Sequence, residues 1–112
     1  MALKDEMRGD VAVMVLKGKL MGGSETTAIH DKVKELVENN VKKVVIDLAR
    51  VKWMNSTGLG ALMGAMTTLR NNGGELKLAN VTEKVQSLFM ITKLITIFET
   101  FNSVNEAVES FN

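Results

Sequence analysis

Val44-Val45-Ile46-Asp47-Leu48-Ala49-Arg50-Val51-Lys52-Trp53-Met54-Asn55-Ser56-Thr57-Gly58-Leu59-Gly60 is the stretch on which the fold turns. Val44-Val45-Ile46 runs apolar without alternation, as a strand covered on both faces does. A short loop is expected after Asp47, and Ser56-Thr57 then sets a hydroxyl pair at the start of a helix. In that helix Leu59, Leu62, Met66 and Leu69 fall on one face, while Gly60, Ala61, Gly64 and Ala65 are small and are expected to let it approach the sheet. Asn71-Asn72-Gly73-Gly74 stops it.

Upstream, residues 11–16 form an apolar run ending at Gly18 and read as a strand. Residues 2–8 can pair with it through Gly9-Asp10, because glycine at the first turn position suits a type II′ hairpin. Gly22-Gly23 breaks the chain and Ser24 is placed to cap a helix whose Ile29, Val33, Leu36 and Val37 share a face. Downstream, residues 75–79 read as a strand, Asn80 with Glu83 as a capping-box start, and residues 95–98 as a β-branched strand. Ser103 and Glu106 form another capping box before a short helix bearing Val104, Ala107, Val108 and Phe111. A strand pair followed by alternating helix and strand predicts an α/β fold: a central, mostly parallel sheet of about five strands with about four helices, one domain over residues 1–112.

Composition narrows the function. The chain has 112 residues, 46% of them hydrophobic, enough for a core without metal or disulfide. A formal charge of +1 argues against a nucleic-acid partner. With no cysteine, thiolate catalysis and cysteine-ligated zinc are excluded. No apolar run approaches the ~20 residues of a membrane span, and acids stand near the N-terminus where a signal peptide is apolar; a cytoplasmic protein with no membrane partner is expected. No nucleophile–base pair or metal cluster stands at motif spacing, so no enzyme, catalytic residue, metal or cofactor is expected. His30 beside Asp31 reads as a surface residue, and Gly22-Gly23 and Gly73-Gly74 as turns without a phosphate-binding fingerprint.

The whole pattern resembles a STAS domain, and more narrowly the bacterial anti-sigma-factor antagonists. That family places an aspartate at a strand end, then an Asp-Ser-Ser/Thr-Gly-Leu-Gly loop opening a helix; here Asp47 is followed by Asn55-Ser56-Thr57-Gly58-Leu59-Gly60. The tail Leu94-Ile95-Thr96-Ile97-Phe98, with Ser103 and Ala107, also resembles the family's ending. The resemblance implies that Ser56 is phosphorylated by a partner that is both anti-sigma factor and serine kinase, and reset by a phosphatase. The unphosphorylated form would bind the anti-sigma factor and free a sigma factor. Asn55, Thr57, Gly58, Asp47 and Met21 would support that site. A monomer or weak dimer is expected.

Two positions depart from the family. Asn55 stands for its aspartate, and Met21 follows Gly18-Lys19-Leu20 where the family often has another. Both remove negative charge near Ser56. If those carboxylates help a kinase engage, phosphorylation of Ser56 is weakened; if they repel the phosphate, phosphoserine is more stable here. The same departures favour an alternative, a non-phosphorylated STAS scaffold or small-ligand module. Ser56 and Thr57 also have the plain reading of helix caps, and Asp47 that of an acceptor for loop N–H groups. Trp53 is read equally as a partner anchor or as core. Met14 and Met66 belong to apolar faces, whereas Met21, Met54 and Met63 are candidates for exposure.

Overall fold

The computed structural model describes residues 2–93 and 96–112. Strand β1 (Ala2–Arg8) pairs antiparallel with β2 (Val11–Leu20). The turn between them has φ of 62° at Gly9 and no positive φ at Asp10, as a type II′ hairpin requires. Helix α1 (Ser24–Glu38), strand β3 (Lys43–Met54), helix α2 (Ser56–Asn71), strand β4 (Glu75–Ala79), helix α3 (Glu83–Ile91), strand β5 (Glu99–Phe101) and helix α4 (Val104–Glu109) follow. The strands lie in the order β1-β2-β3-β4-β5, with β2 to β5 parallel. Among the described residues this is the expected α/β fold, five strands and four helices.

The sheet has two unequal faces. Met14, Leu16, Val44, Ile46, Leu48, Leu76 and Leu78 face α1, α2 and α3 in the main core, joined there by Ile29, Leu62, Leu69, Val85 and Phe89. Val11, Val13, Val45 and Ala79 face the other way, against Ala107 of α4. Lys77 is buried on that side: its Nζ donates to Ser110 Oγ at 2.8 Å and to Ser110 O at 3.1 Å, and lies 4.2 Å from the Phe111 ring centre. A buried ammonium is tolerated there because hydrogen bonds and an aromatic face replace its water. Ion pairs fix the periphery. Lys32 reaches Asp5 at 3.0 Å, and that hydrogen bond raises the Lys32 pKa. Lys43 reaches Asp10 at 2.8 Å, and its hydrogen bond lowers the Asp10 pKa.

Several boundaries fall elsewhere than the sequence pattern places them. Strand β2 continues through Gly18 to Leu20, because Gly18, at φ 107°, sits at a register shift where the ladder bulges. The loop expected after Asp47 is strand: β3 runs on to Met54 beside β2, with irregularities that turn Leu48, Val51 and Met54 inward and leave two exposed residues between each. Met54 is therefore core, 2% exposed. Gly23, at φ 67° and ψ −129°, caps α1, so Ser24 becomes its first residue. Asn80 takes a left-handed turn, φ 57°, and α3 starts behind Thr82 instead. The strand expected at residues 95–98 shifts to Glu99–Phe101, since Phe98 is buried and stacks on Phe89 at 5.5 Å; Ile95 lies outside the described residues. The Ser103 cap holds, with its Oγ accepting from Glu106 N at 3.1 Å.

Candidate functional site

Ser56 is the first residue of α2 and is exposed, as is Thr57. The cap is Asn55, whose backbone is extended at φ −104° and ψ −177°. Its Oδ1 accepts from Gly58 N at 2.9 Å, satisfying one of the N–H groups that a helix start leaves without a partner. Its Nδ2 donates to Met21 O at 3.0 Å. One amide thus uses both ends, joining the start of α2 to the chain leaving β2. A carboxylate could fill the first role and not the second, because it has no hydrogen to give. The capping role weighed for Ser56 and Thr57 belongs to Asn55, which leaves both hydroxyls at the surface.

Close packing holds this corner together. Gly58 is buried, and a Cβ there would run into the Leu20 carbonyl. A Cβ on Gly22 would meet the Thr57 methyl at 2.8 Å, and Gly22 has φ 109° besides. Met21, between Leu20 and Gly22, is 43% exposed beside Ser56's loop. The small residues Gly60 and Gly64 do not serve the sheet: nothing lies within 4 Å of where their Cβ atoms would be. With Ala61 and Ala65 they line a groove of 350 Å³ between α2 and α1, opposite Thr26, Thr27 and His30.

Asp47 stands apart from this corner. Its Oδ1 accepts from Ala49 N at 3.0 Å and from Asn80 Nδ2 at 3.1 Å, so it ties β3 to the turn before α3. Six strand residues, Leu48 to Trp53, separate it from Met54, a span of about 23 Å or less. Trp53 is 46% exposed, on the α3 side of the same strand. Among the described residues no three His, Asp or Glu side chains gather as a metal site, and no helix is long and apolar enough to cross a membrane. What sequence reasoning missed is the second bond of Asn55 and the burial of Gly58. The signal available was Asn55 where the resembled family carries an aspartate, which reads as lost charge until its Nδ2 is seen donating to Met21 O.

Residues 2–107 match the STAS domain family, and the chain belongs to it. The anti-sigma-B factor antagonist of Listeria monocytogenes is 42% identical over 79 residues, which is 67% of this chain and 69% of that protein. Among solved structures, the unphosphorylated anti-sigma factor antagonist SpoIIAA matches with a TM-score of 0.74 and 20% identity, over 97% of this chain and 96% of that one. SpoIIAA of Bacillus in its phosphorylated form matches with a TM-score of 0.77 and 21% identity, over 99% and 100%. By sequence this chain is a relative of anti-sigma factor antagonists, regulatory binding proteins; by structure it has their fold.

Proposed function

We propose that this protein is an anti-sigma factor antagonist switched by phosphorylation of Ser56. It acts by binding and carries no catalytic activity. In this reading, unphosphorylated protein holds an anti-sigma factor that is also a serine kinase, and a sigma factor goes free. The observation that carries it is the exposure of Ser56 at the first position of α2, with the capping taken over by Asn55. A phosphate there meets free N–H groups and the positive end of the helix, so the fold accommodates it. It brings about −1.5 to −2 charges to the surface, which a partner covering this corner must desolvate or reject. That one member of the fold family was solved in phosphorylated and unphosphorylated forms supports the reading.

The test is phosphosite mapping by mass spectrometry on protein from its own cell, with and without phosphatase treatment, joined to binding of the purified cognate kinase. A phosphatase-sensitive phosphate on Ser56 and kinase binding lost in Ser56→Asp are expected. A Ser56 that stays unmodified across growth and stress conditions would overturn the switch. Turnover of generic esters or phosphoesters would overturn the absence of catalysis. The second reading, a small-ligand STAS module, draws on the groove between α1 and α2. It expects a ligand-dependent rise in melting temperature that Ser56→Ala leaves intact.

A further inference from the structure

Beyond Asp47, strand β3 keeps one neighbour and loses the other. Its pairing with β4 ends at Asp47↔Ala79, whereas its pairing with β2 continues to Leu20↔Met54. The chain of β4 turns away at Asn80 into α3. Among the described residues, no strand pairs with 48–54 on that side. The edge is open beyond Ala49, whose N–H is taken by Asp47 Oδ1, and α3 forms the opposite wall of a groove.

The groove has two chemically distinct ends. The larger, 670 Å³, is lined by Lys17, Arg50, Lys52 and Lys84, with Glu83 as its one carboxylate. Among the described residues none of those four cations makes an ion pair. The smaller end, 260 Å³, is apolar: Trp53 from β3 faces Leu88 and Ile91 of α3, and Ile91 is 79% exposed. Lys84 borders both, so the two ends are continuous. An open edge offers main-chain donors and acceptors to an extended chain. Unpaired cations select carboxylates and steer their approach. An exposed tryptophan beside two aliphatic side chains gives one apolar anchor a place to bury.

We propose that the groove between residues 48–54 and α3 binds an extended acidic segment of a partner protein by strand addition, with one apolar side chain of that segment seated on Trp53, Leu88 and Ile91. Ser56 does not line this groove, and either reading can fail without the other. Phosphate-bearing polymers would satisfy the cations alone; the open edge and the aliphatic end favour a peptide.

Trp53 is the chain's only tryptophan, so its emission reports on this groove. The probe is a short synthetic peptide in which Glu alternates with Thr and one end carries Leu, made with the Leu at either terminus. It is titrated into the full chain in low salt. One of the two should give a saturable blue shift of Trp53 emission. The double variant Lys52→Glu with Lys84→Glu should weaken it about tenfold or more. Both positions are exposed, so folding is not at stake. N-methylation of alternate peptide amides should abolish binding without touching the protein. Three results overturn the proposal: no change in Trp53 emission with either peptide, equal binding of the peptide with Lys in place of Glu, or indifference to N-methylation. A short single-stranded oligonucleotide that binds more tightly than the acidic peptide would overturn it in favour of nucleic acid.

Discussion

The two halves of β3 are one strand with opposite occupations. Residues 43–47 lie between β2 and β4, and Val44, Val45 and Ile46 are fully buried. Residues 48–54 lie beside β2 alone, and Arg50, Lys52 and Trp53 reach solvent. Where both edges and both faces are filled, a side chain can only pack. Where one edge is open, the same backbone carries charge, an aromatic side chain and the approach to Ser56. The first half holds the fold, and the second half carries the surface proposed to meet a partner.

The largest expected effect tests the first half. Ile46→Ala should cost about 4 kcal/mol, whereas Lys52→Ala should stay within about 0.5 kcal/mol; paired denaturant titrations check both. Equal losses would break the contrast. Gly58→Ala asks whether the exposed half is tightly seated at its end. Driving a methyl into the Leu20 carbonyl should cost about 3 kcal/mol and lower Tm by more than about 10 °C. Asn55 sharpens the picture further. Asn55→Ala should lose about 1–2 kcal/mol with the cap, and Asn55→Asp less, because a carboxylate still caps. Faster amide exchange at Gly22 and Gly23 in Asn55→Asp would show that the lost bond is the one to Met21 O. Ser56→Asp should shift Tm by no more than about 3 °C in a scanning experiment, since it adds a favourable charge at an exposed helix start. The smallest effect lies at Lys43, where β3 begins. The lowered Asp10 pKa means that its contribution is present above the usual carboxylate range and is lost as pH falls through the folded value. Asp10→Asn should remove that part of the acid dependence, read from melting curves across acidic pH.

The same contrast explains what the sequence discloses. Val44-Val45-Ile46 is legible because a doubly covered strand needs an unbroken apolar run. Residues 48–54 are not, because bulges replace the alternation of a strand with one buried residue in three. The apolar faces of α1 and α2 follow from helical spacing, and Ser56 at a helix start follows from its neighbours. Asn80 and Ser24 look like caps by residue type. Each loses that role to a nearby residue, Thr82 and Gly23, because Asn80 takes a left-handed turn and Ser24 already lies inside the helix. Gly60 and Gly64 look like sheet contacts, since spacing alone does not say which helix lies across from them. The double use of Asn55 depends on Met21 O, a backbone atom distant in sequence and silent in composition.

The open side of β3 also bears on how this protein keeps company with itself. An unpaired strand edge is a template onto which an identical edge can zip, and many proteins hide or shorten theirs. Here Arg50 and Lys52 stand on the edge itself, with Lys17 and Lys84 flanking it. Two copies meeting edge to edge would bring these cations into register against one another. The edge therefore repels its own image while staying open to an opposite charge, and concentrated salt, by screening that repulsion, would be the condition under which copies begin to stick.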